Sequence, residues 1–194
     1  QKTLEIFGRP HILELTDVFE NDQHIMYAFV ESMNERSKNL ISQAGYEYIR
    51  SFLTVAFSRF YPKPNSNVSI LTDAEKPLMN DLLLNFYKNY SFFTTEYVFP
   101  GNKYYVLKDK GEIIAGVSAI PTSYKVHDIP GVWGWMMMKV LPDVPLFRRL
   151  FMPGEFRFLV FDAIYCKKGE EARLAELFES ACAIEGFNTG LTWL

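Results

Sequence analysis

The segment from Phe156 to Leu194 constrains this chain more than any other. An apolar strand, Phe-Arg-Phe-Leu-Val-Phe-Asp-Ala-Ile-Tyr, runs into Cys166-Lys167-Lys168-Gly169 and then into a helix with Leu174, Leu177, Phe178 and Ala181 on one face. A strand that turns through a glycine into a helix offers unpaired N–H groups and the positive end of the helix dipole. Here both lie beside two lysines, an arrangement that holds a phosphate without a metal. An echo of this segment opens the chain. Ile12 to Phe19, centred on Asp17, matches Leu159 to Ile164, centred on Asp162, and Val30-Glu31-Ser32 answers Phe178-Glu179-Ser180. Gly45-Tyr46 and Gly186-Phe187 stand where each helix hands over to a strand.

The chain's 194 residues suffice for one large domain or two small ones. A net charge of −3 gives no general attraction to nucleic acid or anionic lipid, so no nucleic-acid partner is expected. Cys166 and Cys182 are too few for a disulfide framework and suit a reducing compartment, which points to the cytoplasm. His11, His24 and His127 lack ligand spacing, so no metal is expected. No run of about 18 apolar residues is present, and the first residues do not form a signal peptide, so no transmembrane segment is expected. The opening Gln1 and the unfinished strand at Leu191-Thr192-Trp193-Leu194 read as a piece of a longer polypeptide. Aromatic residues make up 16% of the chain, which calls for a roomy core or an aromatic-lined groove.

Along the chain, Ile12 to Val18 suits a strand, and Asn21-Asp22 caps a helix with Ile25, Met26, Phe29, Val30, Met33, Leu40 and Ile41 on one side, ending near Gly45. Tyr46 to Phe57 reads as a strand, with a helix as the alternative for so apolar a run. Tyr61-Pro62-Lys63-Pro64-Asn65-Ser66-Asn67 is the obvious linker, because two prolines and three turn formers continue neither regular structure. A domain boundary is expected there, between units 1–61 and 67–194. Val68 to Leu71 makes a short strand, and Thr72 to Glu75 starts a helix through Leu78, Met79, Leu82, Leu83, Phe86 and Tyr87. A helical or irregular stretch follows from Ser91 to Phe99. A hairpin is then clear: Tyr104 to Lys108, a turn at Asp109-Lys110-Gly111, and Glu112 to Ile120. An insertion, 129–153, precedes the strand at Phe156.

From Asn67 the order is strand, helix, helix, hairpin, insertion, strand, helix, strand. With the hairpin Asp109-Lys110-Gly111-Glu112-Ile113-Ile114-Ala115-Gly116, this resembles the GNAT acetyltransferase superfamily. The resemblance implies an α/β (α+β) fold: a mixed, mostly antiparallel sheet flanked by helices, preceded in 1–61 by a strand-helix-strand unit similar to part of a second GNAT domain. In that family a central strand splays from its neighbour, acyl-CoA lies in the gap, and its pyrophosphate sits on the next helix. Gly116 is expected where a side chain would crowd the neighbouring strand.

The family's loop reads Arg or Gln, two residues, Gly, one residue, then Gly or Ala. With Gly169 as the first glycine, Cys166 takes the basic position and Glu171 the final small one. With Ala172 as the final small residue, Lys167 becomes the basic position and Glu170 replaces the glycine, so neither register satisfies the pattern. Glu170 and Glu171 would also oppose an incoming pyrophosphate. The matching turn of the first half, Glu20 to His24, has neither glycine nor lysine.

The resemblance implies an acyl-CoA-dependent N-acyltransferase using acetyl-CoA or another acyl-CoA as substrate. The acyl-CoA would contact Ala163, Ile164, Tyr165, Lys167, Lys168, Gly169, Glu170, Glu171 and Ala172. Asp162 is the candidate general base toward a small-molecule or protein amine; the alternative for it is a structural acceptor of backbone N–H groups. Cys166 is either a nucleophile activated by the helix end or a small filler. Trp133 to Met138 with Phe147 to Phe151 is by default interior packing, with a lid over a hydrophobic substrate and a membrane-surface segment as alternatives. A second function reading is a GNAT-derived module without catalysis, serving binding or assembly through the insertion, with a homo-oligomer left open. A third is an aminoacyl-tRNA-dependent transferase, which needs a basic groove.

Overall fold

The computed structural model describes residues 28–90, 93–101 and 103–193. The chain divides into two compact units, Gln1–Phe52 and Leu53–Leu194. The strand expected at Ile12 to Val18, Asp17 within it, and the turn at Glu20 to His24 lie outside the described residues.

In the first unit, helix α1 spans Glu35–Gln43, capped by the Asn34 side chain, which accepts the Ser37 N–H at 3.0 Å. The periodicity predicts a longer helix through Phe29, Val30 and Met33. These residues instead precede the cap, because Asn34 satisfies the first-turn donors and starts the helix there.

The second unit is mixed α+β: a six-stranded, mostly antiparallel sheet flanked by helices. Its strands are β1 (Thr54–Ser58), β2 (Val68–Ile70), β3 (Lys103–Asp109), β4 (Glu112–Tyr124), β5 (Phe156–Cys166) and β6 (Thr189–Trp193), in the order β1-β6-β5-β4-β3-β2. The main helices are α2 (Lys76–Phe86), α3 (Gly131–Lys139), the single turn α4 (Pro145–Arg148) and α5 (Leu174–Glu185). The β3–β4 hairpin closes through Lys110 and Gly111, both at positive φ (49° and 87°), the backbone twist that a two-residue hairpin loop requires.

Successive residues of β3 point to opposite faces, and both faces are covered. Tyr105 and Leu107 pack with Val117, Phe161, Leu177 and Ala181 under α5, while Tyr104 and Val106 pack with Met79, Leu83, Ala163 and Tyr165 under α2. A sheet buried on both faces has no polar side, which is why the hairpin reads as nearly continuous apolar sequence.

Three expectations differ from the structure. The strand begins at Thr54 rather than Tyr46, and it pairs antiparallel with β6, from Thr54↔Trp193 to Ser58↔Thr189, within the second unit. The Pro-rich stretch expected as a linker is strapped to α5: the Lys63 N–H donates to Glu179 Oε1 (3.1 Å) and the Asn65 N–H to Ser180 Oγ (2.9 Å). Pro62 and Pro64 carry no N–H, and the N–H groups of Lys63, Asn65 and Asn67 go to side chains instead. The insertion forms α3, a 3₁₀ turn at Leu141–Asp143 and α4, and it does not pack into the interior. Trp133 is 76% exposed and Trp135 61%. Short helices interrupted by Pro130, Pro142 and Pro145 cannot present one long apolar face to the sheet.

Candidate functional site

The chemistry gathers where β5 leaves its regular path. Against β4, Ser118 faces Asp162 and Gly116 faces Tyr165, so Ala163 and Ile164 together oppose the single residue Val117: a β-bulge. Ala163 takes φ +46°, a left-handed conformation uncommon for a residue with a Cβ. The extra residue changes the strand's face. Leu159 and Phe161 point under α5, while Ala163 and Tyr165 point under α2.

Two phenols hold the bulge. Tyr104 donates to the carbonyl of Ala163 at 2.9 Å, and Tyr87, which caps the C-terminus of α2, donates to that of Ile164 at 2.6 Å. Gly116 makes the first contact possible, because a Cβ there would lie 2.7 Å from Tyr104 Cε1. The neighbour this glycine spares is therefore a side chain crossing it from β3. Burial pushes the Tyr87 phenol up to about 12, with the Asp162 carboxylate adding to the effect. Burial raises Tyr104 well above its ordinary value, with Tyr87 and then Asp162 contributing. Both remain protonated donors at neutral pH.

Asp162 is exposed, and its Oδ1 accepts the N–H of Ala163 at 2.8 Å, the structural role weighed for it. Beside it on β4, Ser118 is 2% exposed and its hydroxyl has no partner among the described residues. Register places Tyr104, Ser118 and Asp162 side by side on three adjacent strands. Tyr87, Tyr104 and Ser118 escape the sequence reading. The one available signal is a serine within the apolar run Ile113 to Ile120.

On its other edge β5 meets β6 in parallel at only Leu159↔Gly190 and Val160↔Leu191. The next step is made by a side chain: Thr192 Oγ1 donates to the Phe161 carbonyl at 2.9 Å. The main-chain ladder with β6 thus stops before the bulge.

The loop after Tyr165 departs from the unpaired, converging amides that the sequence predicts. The Lys167 N–H continues the ladder to the Ile114 carbonyl (2.8 Å), and the Glu170 N–H closes a turn on the Lys167 carbonyl (3.0 Å). The Gly169 N–H donates to Glu171 Oε1 at 3.0 Å. That bond, with the N–H of Glu171 itself, lowers the Glu171 carboxyl. With Gly169 at φ +93°, the turn brings its amide within reach of a carboxylate two residues on, which fills the place of an external anion. Lys167 is directed to Glu112 (2.6 Å), Lys168 is exposed, and Ala172 lies in a 3₁₀ turn, Glu171–Arg173, ahead of α5. Cys166 is buried, and burial followed by Glu171 and Glu170 raises its thiol, so it is a filler rather than an activated nucleophile. His127 is an exposed loop residue; His11 and His24 lie outside the described residues. Among the described residues no helix is long and apolar enough to cross a membrane.

No protein-family model and no curated protein matches this sequence.

Proposed function

We propose that the chain is a GNAT-like acyl-CoA-dependent N-acyltransferase unit, moving an acyl group to a small-molecule or protein amine. The observation that carries this reading is the behaviour of β5: a bulge at Ala163 just where main-chain pairing with β6 gives out. Past Phe161 this edge has no main-chain partner in β6; side chains of Asp162, Tyr104 and Tyr87 hold the Ala163 N–H and the Ala163 and Ile164 carbonyls, so the amide-rich arm of acyl-CoA would add along the peptide groups that remain. Asp162, exposed beside that edge, takes a proton from the amine, directly or through water. Tyr87 and Tyr104 fix the bulge that positions it, and Ser118 supplies an uncommitted hydroxyl next to it.

A second reading, a module of the same topology without catalysis, is supported by Glu171. Its carboxylate holds the Gly169 amide that a pyrophosphate would need, and the exposed Trp133 and Trp135 offer a contact surface. Calorimetry with CoA decides between the two. The enzyme reading expects binding at millimolar cofactor or below, and about tenfold tighter binding in Glu171→Gln, where a charge opposing the pyrophosphate is gone. No heat of binding for either protein removes the enzyme reading and leaves the second.

A further inference from the structure

The opposite end of β5 from the Cys166 loop carries a different feature. A cleft of about 170 Å³ lies between α4, the start of β5 and the turn from α5 into β6, and is lined by Arg148, Arg149 and Arg157 together with Glu155, Phe187 and Asn188. The fold brings the arginines together from separate segments. Arg148 and Arg149 end the α4 turn, where cations suit the free carbonyls. Arg157 is the second residue of β5.

The arginines are oriented but not neutralised. Arg149 lies over the Tyr61 ring (4.8 Å) and Arg157 over the Phe187 ring (4.7 Å), which fixes two guanidinium planes and leaves their N–H edges available. Among the described residues none of the three guanidiniums makes an ion pair or hydrogen bond, and the Glu155 carboxylate pairs with none of them although it lines the same cleft. Asn188 is fixed too, its amide donating to the carbonyls of Arg59 (2.8 Å) and Phe60 (3.1 Å). Three exposed guanidiniums lining one cleft give it a positive potential that favours an anion.

We infer that this cleft is a binding site for the phosphoryl group of a phosphate monoester. Three guanidiniums and one carboxylate leave two positive charges, matching the near-dianionic phosphoryl group better than a singly charged carboxylate. Fixed guanidinium forks suit the paired oxygens of phosphate. Phe151 and Phe156 supply apolar wall for the esterified part. The inference is independent of the acyl-CoA reading, since the loop at Gly169 lies at the other end of the strand.

The test uses the whole chain and three probes: inorganic phosphate, glycerol 3-phosphate, and phosphatidylcholine vesicles with and without phosphatidic acid. The vesicle arm is needed because Trp133 and Trp135 of the adjoining insertion are exposed. Expected is saturable calorimetric binding of glycerol 3-phosphate at one site, weakened about tenfold in Arg148→Gln and in Arg157→Gln and strengthened in Glu155→Gln. Arg148→Gln touches no packed ring, so it keeps the test valid if Arg157→Gln does not fold. Binding confined to phosphatidic acid vesicles, with the same response to the three variants, supports the site and assigns the phosphate to a lipid headgroup. No binding of any probe, or binding that the variants leave unchanged, overturns the inference.

Discussion

Tyr104 reaches across the bare Cα of Gly116 to donate its phenolic proton to the backbone beyond, so two strands of the sheet are locked through the absence of a side chain on the strand between them. Gly116→Ala places a methyl group against the Tyr104 ring and should cost about 1–3 kcal/mol as the ring is displaced. Tyr104→Phe leaves the Ala163 carbonyl without its donor and should cost about 1–3 kcal/mol. Because both changes break one contact, the double variant should cost clearly less than the two single losses together. Urea unfolding of the three variants measures this, and strict additivity would show that the contact does not hold the bulge.

Gly190 of β6 plays a similar part on the other face. A Cβ there would lie 2.8 Å from Phe57 Cζ, within the stack formed by Phe57, Phe161 and Phe178, whose neighbouring ring centroids are 4.7 to 6.0 Å apart. Gly190→Ala should destabilise by about 1–3 kcal/mol through displaced rings. Thermal unfolding monitored in the near ultraviolet, where the aromatic stack reports, provides the measurement.

Acid should act through Glu75. Its hydrogen bond from Lys108 (2.5 Å), helped by the Thr72 hydroxyl and amide, lowers its carboxyl from an ordinary 4.5 to about 2. A group depressed on folding contributes stability that is complete above the unfolded value and is lost as pH falls through the folded one. The contribution of Glu75 is therefore lost between about pH 4.5 and about pH 2. The urea midpoint of the native chain should fall across that window more steeply than that of Glu75→Gln, and parallel curves would remove Glu75 as a cause.

Apolar residues in the insertion and under the sheet should differ sharply in what truncation costs. Leu177, fully buried beneath the sheet, should cost about 2–5 kcal/mol as Leu177→Ala. Trp133→Ala should change stability by no more than about 0.5 kcal/mol, because that side chain is mostly in water. A large loss at Trp133 in denaturant unfolding would mean that α3 packs inward.

The elements most legible in the sequence are those whose signals are local. Lys110 and Gly111 supply the turn, the spacing of Leu78 to Tyr87 finds α2, and Gly186, at φ +73°, ends α5 where a glycine is expected. Phe29 to Met33 continue the apolar period yet lie ahead of the helix, because the Asn34 side chain caps it at Glu35. The candidate loop was legible as residues but not as bonds. Cys166 to Ala172 form a turn into a helix as expected, yet nothing in their order says that Glu171 satisfies the amide of Gly169.

By itself the sequence determined the hairpin, the two helices that cover the sheet and the strand from Phe156 that runs into Cys166, since each rests on turn chemistry or side-chain period over neighbouring residues. Only the tertiary structure decided that Ala163 bulges, that Tyr104, Ser118 and Asp162 stand in a row, that β1 pairs with β6, and that three arginines surround one cleft. These depend on strand register and on which distant donors and acceptors meet. A one-residue shift in pairing would turn the same side chains to the opposite face.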